Sequence, residues 1–194
     1  SGRHFGLLTP HFWEFEGDQA ETLVAWSQSC LDEFEALVAR ENIDCDFRRA
    51  AFHMPILHPD DGGGQVPNMV DWYAQAGIDA RFDASDQVSC VPFKTYGAMV
   101  LEDQVTVDAY RLMRGMREAV LRQGVRLYEG SHVESIEGGA ETVVQTAEGS
   151  LRARKVVLAL NGYSGQFSFL QQYVSPMHTY AIATEALAGR GIES

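Results

Sequence analysis

The sequence lacks an apolar run that could cross a bilayer, since no stretch approaches the roughly 20 apolar residues that a transmembrane helix needs. Its first residues, Ser1-Gly2-Arg3-His4, are not followed by the apolar core of a secretory signal peptide. These two absences argue against a membrane-spanning or secreted protein. We therefore expect a cytoplasmic protein that has no membrane partner.

Cysteine and basic residues are both scarce. Cys30, Cys45 and Cys90 are widely spaced and form no CxxC pair, which favours reduced thiols over a disulfide framework. The six histidines show no metal-ligand spacing, so we predict no metal site. With 15 Lys and Arg against 27 Asp and Glu, the net charge of -12 argues against a nucleic-acid partner.

What is present is the composition of a globular protein, with 45% hydrophobic residues in a chain of 194 residues, which is enough for a sizeable core. Apolar residues at helical spacing predict three helices, over Asp18–Arg40, Val66–Ala76 and Val105–Gln123. Gly77 and Gly124 are the expected stops of the last two helices.

Extended segments are predicted between and after these helices, and residues 58–64 have the turn chemistry of a loop. The run Val156–Leu160 is continuously apolar, which is typical of a strand buried on both faces. The predicted strands are Asp44–Leu57, Val125–Ile136, Thr142–Thr146, Leu151–Leu160 and Tyr180–Thr184.

Four segments together carry a family resemblance: Ser1–Leu8 (SGRHFGLL), Gly124–Val133, Gly149–Tyr163 and Pro176–Glu185. In this order they resemble the FAD-dependent oxidoreductase family that includes D-amino-acid oxidase, sarcosine oxidase and glycine oxidase. The nearest branch is that of γ-glutamylputrescine oxidoreductase and its relatives. The family's G-x-G-x-x-G and the acidic residue after it would lie before Ser1, and its C-terminal region is also absent.

The resemblance implies an α/β fold with an α+β substrate lobe, built on a mixed sheet with flanking helices. Residues 1–17 and 125–165 would form part of the FAD-binding lobe, and residues 18–124 and 166–194 the substrate-binding lobe. The pyrophosphate of FAD normally lies on the glycine-rich segment that is missing. We therefore expect the chain to be an internal fragment whose full-length parent binds FAD, and which does not hold FAD alone.

The resemblance also assigns cofactor-binding residues. Glycines allow the backbone to approach a ligand closely, and an arginine can form charge-assisted bonds to a phosphate. His4 replaces the family's usual Asn, and two hypotheses stay open for it: covalent attachment to FAD, or a hydrogen bond where Asn would make one. The implied cofactor-binding residues are Ser1, Gly2, Arg3, His4, Phe5, Gly6, Val133, Ala159, Leu160, Asn161 and Gly162.

Four polar aromatic residues, His53, Tyr96, His178 and Tyr180, are candidates for the substrate cavity, because such side chains can orient an amine beside a flat ring. A purely structural role is the alternative for each of them. The residue pattern identifies no catalytic residues.

The resemblance implies oxidation of the C–N bond of a small amine or amino acid to an imine, with O₂ or a partner protein as electron acceptor. The alternative is a non-catalytic binding or assembly module that derives from this fold. Unpaired strand edges would favour a homo-oligomer, a dimer or larger. The amine itself, and the choice between oxidase and dehydrogenase, stay open.

Overall fold

The computed structural model describes residues 7–8, 18–59, 65–75, 77–85 and 93–174. These residues belong to two compact units, which are divided between Gly124 and Val125. None of the helices within these ranges is long and apolar enough to span a membrane. The described elements are β1 (Leu7–Leu8), α1 (Asp18–Arg40), β2 (Arg48–Pro55), α2 (Gln65–Gln75), β3 (Ala80–Asp83), β4 (Ala98–Thr106), α3 (Ala109–Arg122), β5 (Val133–Glu137), β6 (Thr142–Thr146), β7 (Gly149–Ala153) and a 3₁₀ helix (Asn161–Gln166).

The first unit is organised around β4, which pairs antiparallel with β1, β2 and β3. Residues 98–101 of this strand are at most 1% exposed, and the strand is paired on both edges there. One face of the sheet packs on α2 through a cluster of buried residues. The members of that cluster are Val70, Tyr73, Ile78, Met99 and Leu101.

A β-bulge interrupts the pairing of β2 with β4. Ala50 pairs with Gln104 and Phe52 with Leu101, so Glu102 and Asp103 of β4 together lie opposite the single residue Ala51. Asp103 adopts a positive φ of 58°. An extra residue in one strand shifts the alternation of the side chains that follow it. Beyond the bulge, Gln104 and Val105 are both fully buried.

A second core holds α1 and α3 against the segment between α1 and β2. Val38, Ile43 and Cys45 are buried there, and Leu112 and Met116 of α3 pack against them. The α3 helix begins where the Asp108 carboxylate accepts hydrogen bonds from the N–H groups of Tyr110 and Arg111, both 2.9 Å long. An acidic N-cap of this kind satisfies backbone donors that have no partner inside the helix.

The second unit contains an antiparallel three-stranded meander in the order β5-β6-β7. From Val125 to Val174, no residue is fully buried. The last strand leads through an irregular segment into the 3₁₀ helix.

The predicted combination of helices and sheets is confirmed, and every described strand pair is antiparallel. The structure confirms the bounds of α1 and of the strand Thr142–Thr146, and it places α2 one residue earlier than predicted. Gly77 and Gly124 follow their helices with φ values of +88° and +80°. The predicted strand Tyr180–Thr184 and most of the predicted loop, residues 60–64, lie outside the described residues.

Four predicted boundaries are wrong. Val105 lies in β4 rather than in a helix, because its strand pairing with Arg49 and Leu8 outweighs its helical spacing. The helix α3 begins later, after its N-cap Asp108. The strand predicted from Asp44 begins only at Arg48, since Asp46 has a φ of 52° that breaks an extended backbone. The strand predicted over 125–136 is limited to β5.

The prediction of a buried strand over Leu151–Leu160 is also wrong beyond Ala153. The apolar run Val156–Leu160 is irregular, and the Val157 side chain is 89% exposed. A continuously apolar strand is buried only when both faces of its sheet are covered. Among the described residues, no strand pairs with this run.

The buried Tyr73 gives a first testable prediction. Its hydroxyl has no hydrogen-bond partner within the described ranges, and burial raises the pKa of Tyr73 to about 12 from its ordinary value of 10.0. Because burial raises the folded-state pKa, the unfolded chain loses the Tyr73 proton at a lower pH than the folded chain does. The free energy of unfolding is therefore unaffected by this hydroxyl below pH 10 and falls as the pH rises toward 12. We expect Tyr73→Phe to be as stable as the parent at pH 7 or up to about 1 kcal/mol more stable.

Between pH 10 and pH 12 the parent should lose about 2 kcal/mol relative to Tyr73→Phe, because only the parent has this hydroxyl to ionise. Urea unfolding followed by circular dichroism at pH 7, 10 and 11.5 measures both effects. Parallel pH profiles for the two proteins would contradict the prediction.

Candidate functional site

The sequence-predicted site residues divide between the two units. His53 lies in β2 and Tyr96 directly before β4, so both belong to the first unit. Val133 opens β5, and residues 159–162 run from the irregular segment into the 3₁₀ helix of the second unit. The candidates Ser1, Gly2, Arg3, His4, Phe5, Gly6, His178 and Tyr180 lie outside the described residues.

The register of the sheet determines which way the substrate candidate His53 points. His53 is paired with Val100, and directly opposed residues of antiparallel strands share a face. The neighbours of His53 in β2, Phe52 and Met54, pack against the α2 cluster. His53 therefore lies on the opposite face, because successive side chains of a strand alternate.

Charged residues of β3 share that face. Arg81 pairs with Val100 and Asp83 with Ala98, so β4 contributes two small buried residues between His53 on one side and Arg81 and Asp83 on the other. We call His53, Arg81, Asp83 and Glu102, with the buried Ala98 and Val100 among them, the charged face.

Ion pairing and hydrogen bonds hold the acidic members of the charged face in place. The Nε of Arg81 donates to Oε1 of Glu102 at 3.1 Å. The backbone N–H of Ser85 donates to Oδ1 of Asp83 at 3.0 Å. Hydrogen bonds from Ser85 lower the pKa of Asp83, and the nearby charges of Arg81 and His53 lower it further. Asp83 is therefore a carboxylate at neutral pH.

His53 retains hydrogen-bonding capacity on this face. Its Nδ1 atom is buried, and no hydrogen-bond partner for it is found in the part of the chain that the structure describes. A neutral imidazole carries one donor and one acceptor nitrogen. The arrangement thus combines a cation, two carboxylates and a histidine with an unused nitrogen, which are the groups that a zwitterionic or cationic ligand requires.

Tyr96 lies toward the same end of the sheet as His53. Its backbone N–H donates to the carbonyl of Ile56 at 2.9 Å, and Ile56 directly follows β2, three residues or about 10 Å beyond His53. The Tyr96 side chain is exposed, and the Lys94 ammonium lies 5.8 Å from the ring centroid. Tyr96 therefore lies beside the end of β2, in the segment that leads into β4.

In the second unit, an exposed apolar segment leads into a turn with an accessible backbone. Val157 and Leu158 are exposed, and Asn161 adopts a positive φ of 49°. A Cβ added at Gly162 would meet nothing within 4 Å. The Ser164 hydroxyl donates to the carbonyl of Asn161 at 2.7 Å and holds the turn.

These features of the second unit fit a large planar cofactor. The apolar side chains offer contact area to a ring system, and the absence of a Cβ at Gly162 leaves the backbone open to close approach. Val133, one of the predicted cofactor-binding residues, is half-buried at the start of β5, where it pairs with Thr146.

A family model and solved structures decide what the chain is similar to. Residues 1–193 match the model of the DAO family, FAD dependent oxidoreductase. The chain belongs to this family. The family predicted from the sequence is thereby confirmed.

Individual relatives match only part of their own length. The probable oxidoreductase OrdL of Rhizobium meliloti (strain 1021) is 33% identical over 86 residues, which are 43% of this chain and 20% of that protein. Glycine oxidase from Geobacillus kaustophilus superimposes with a TM-score of 0.63 at 19% identity, over 83% of this chain and 45% of that one.

Two further structures show the same fold. The L-amino acid deaminase from Proteus vulgaris has a TM-score of 0.65 at 18% identity, over 88% of this chain and 40% of its own. L-proline dehydrogenase from P. horikoshii has a TM-score of 0.65 at 12% identity, over 91% of this chain and 47% of its own. The chain thus spans less than half the length of each of these members of the fold.

Sequence reasoning missed three members of the charged face in this DAO-family chain. Arg81 and Asp83 alternate with Ala80 and Phe82, which is the period-two pattern of a half-buried strand, and that alternation could have identified them. Glu102 gave no such signal, because it belongs to the bulge. Among the residues that the structure describes, no group of three or more potential ligands could hold a metal ion.

Proposed function

We propose that the polypeptide containing this chain is an FAD-dependent oxidoreductase that oxidises a small amine or amino acid at its C–N bond to an imine. The observation that carries the proposal is the match of residues 1–193 to the DAO family, FAD dependent oxidoreductase. Similar folds in a glycine oxidase, an L-amino acid deaminase and an L-proline dehydrogenase support a substrate that contains an amino group. A cytoplasmic location is part of this proposal.

We assign substrate binding to the charged face. An amino acid carries an ammonium and a carboxylate, and the face offers a carboxylate at Asp83 and a guanidinium at Arg81 for them. His53 would contact the substrate through the accessible part of its half-buried ring, and Tyr96 would border the cavity. The role of these residues is to orient the reacting carbon, because correct placement alone removes a large part of a reaction barrier.

We assign FAD contacts to Val133, Ala159, Leu160, Asn161 and Gly162, together with the predicted residues 1–6. When bound, FAD would supply the two-electron oxidation by taking one hydride, which carries both electrons, from the carbon that bears the nitrogen, while a proton leaves the nitrogen to give the imine. The residues of the second unit would offer the ring the apolar side chains around Leu158 and the open backbone at Gly162. Hydrolysis of the released imine by water then gives a carbonyl compound.

The test uses the full-length polypeptide. We expect it to be purified with a flavin absorbance that bleaches anaerobically on addition of an amino acid or amine from a panel. The isolated chain of 194 residues, incubated with FAD and gel-filtered, is expected to be colourless. A full-length protein that carries no flavin, or a flavin that no amino compound reduces, would leave the binding-module alternative standing.

Two variants of the full-length polypeptide test the charged face. We expect His53→Gln to lower kcat/KM for the reducing substrate about tenfold, mainly through KM, because a substrate hydrogen bond is lost. Tyr96→Phe should also raise KM, by a smaller factor than His53→Gln does. Tyr173→Phe removes the hydroxyl of a more exposed tyrosine in the second unit, 76% exposed against 41% for Tyr96, and is the control, with no expected change. An unaltered KM in His53→Gln would remove His53 from the site.

A further inference from the structure

Asparagine is scarce in this chain, and the structure places its three copies in different backbone environments. They are Asn42, Asn68 and Asn161, and only Asn161 is followed by glycine. The side-chain amide of an asparagine can be attacked by the backbone nitrogen of the next residue, and a next residue without a Cβ hinders that attack least. The hydrogen bonds and the exposure around each asparagine therefore determine whether it reacts.

Two of the asparagines are protected by their backbone. The N–H of Ile43, which would attack Asn42, donates to the carbonyl of Val38 at 2.9 Å, and the branched Ile43 side chain is buried. Asn68 lies inside α2, and Met69 after it is the fifth residue of the helix, so its N–H has an acceptor one turn earlier. In both places the attacking nitrogen is occupied and the backbone conformation is fixed.

Asn161 has neither protection. The Tyr163 N–H donates to the Leu160 carbonyl at 3.0 Å, so Asn161 and Gly162 are the two central residues of a turn. Both residues are exposed, and among the described residues the Gly162 N–H has no acceptor. A Cβ added at Gly162 would meet nothing within 4 Å, so there is room for a ring to close. The attacking nitrogen is thus unoccupied and accessible.

We propose that Asn161 deamidates spontaneously, which makes Asn161-Gly162 a modification site where this protein ages. The Gly162 nitrogen loses its proton to hydroxide and bonds to Cγ of Asn161. The Cγ–Nδ2 bond then breaks and ammonia leaves, which gives a five-membered succinimide. Water opens this ring at either carbonyl and produces aspartate or isoaspartate. No electrons are transferred, and the chain gains one negative charge.

The reaction alters a surface that we assigned to FAD, and this consequence rests on the proposed function. Asn161 and Gly162 are two of the proposed FAD contacts. A new carboxylate there is repelled by the pyrophosphate of the cofactor, and isoaspartate also adds a methylene to the main chain between the two residues. We therefore expect the aged full-length polypeptide to hold FAD less tightly than the fresh one.

Peptide mapping by mass spectrometry of the aged 194-residue chain measures the reaction at all three asparagines. We expect Asn161 to react at least about tenfold faster than Asn68, and its rate to rise with pH because the Gly162 nitrogen must lose a proton. In urea the rate at Asn161 should stay within about threefold of its folded value, whereas that at Asn68 should increase about tenfold, because folding protects only Asn68.

Gly162→Ala and Asn161→Gln are the matched variants. An added Cβ at position 162 hinders the attack, and a glutamine side chain has to close a larger ring, so each should slow the reaction about tenfold or more. Circular dichroism before ageing should show both variants folded. A folded chain that reacts at Asn161 more than about tenfold slower than the same chain in urea overturns the proposal, as does an aged chain without isoaspartate at this position.

Full-length Asn161→Asp tests the consequence for the cofactor. We expect its Kd for FAD to be about tenfold higher than that of the parent, measured as the ratio of flavin to protein absorbance after gel filtration. Asn42→Asp adds the same charge at an exposed residue of the first unit and should leave the ratio unchanged. Retention of FAD by Asn161→Asp equal to that of the parent overturns this consequence. A full-length parent without flavin contradicts the proposed function alone, since deamidation of the 194-residue chain needs no FAD.

Discussion

Replacing Gly97 with alanine is expected to destabilise the first unit by about 4 kcal/mol. Gly97 has a φ of +105°, which L side chains rarely adopt, and an added Cβ would lie 2.7 Å from the carbonyl oxygen of Asp83 and 2.7 Å from Cζ of Phe82. The carbonyl is backbone of β3 and cannot turn aside. Relief of the clash would separate β3 from β4 and displace Arg81 and Asp83.

Gly124→Ala is the matched control for Gly97→Ala. Gly124 also has a positive φ, +80°, but an added Cβ would meet nothing within 4 Å. We expect this variant to lose only about 1 kcal/mol, from the backbone conformation alone. Urea unfolding followed by circular dichroism gives both values. Equal losses of unfolding free energy in the two variants would contradict the prediction, because they would mean that the close approach of β3 to Gly97 adds nothing to the effect of the backbone conformation.

Arg49→Met is expected to cost about 2 kcal/mol of unfolding free energy. The Arg49 guanidinium contacts Asp32 at 2.8 Å, Glu35 at 2.8 Å and Asp103 at 2.9 Å, and thereby connects α1 with the bulge of β4. Hydrogen bonding to Asp32, and then to Glu35, raises the pKa of Arg49, against the effect of its burial. The side chain is 22% exposed, so its loss should cost less than that of a fully buried pair.

Arg48→Met is the matched control on the same strand. The Arg48 side chain is 46% exposed, and its guanidinium contacts Asp46, only two residues away. An exposed local pair of this kind contributes little, so we expect a change below about 0.5 kcal/mol. In 1 M salt the deficit of Arg49→Met should shrink, because screening weakens the contacts that it removes. Equal losses for the two variants would contradict the role assigned to Arg49.

The helices were the most predictable part of the fold. The stripe of apolar residues in α1 and the glycines after α2 and α3 are local signals, and the structure agrees with them to within a few residues. The start of α3 was mistaken because Val105 fits either a helical or an extended pattern. Local spacing cannot decide between the two when a distant strand supplies the hydrogen bonds.

The strands of the first sheet were harder to predict. In β4, residues 98–101 are all buried, so the strand shows no alternation, and Glu102 and Asp103 of the bulge interrupt it with two charges. For Val156–Leu160 the apolar composition predicted a buried strand, but the described part of the chain shows an irregular and largely exposed segment there. Burial of a strand depends on its neighbours, which its own residues do not specify.

The sequence by itself determined the family, the helices and the position of the β5-β6-β7 meander, because motif order and residue spacing are properties of the chain alone. The tertiary structure alone decided that His53 shares a face with Arg81 and Asp83. The reason is physical: a shift of one residue in register moves every side chain of a strand to the other face. Pairing between β2, β3 and β4 therefore creates the charged face, which no single segment encodes.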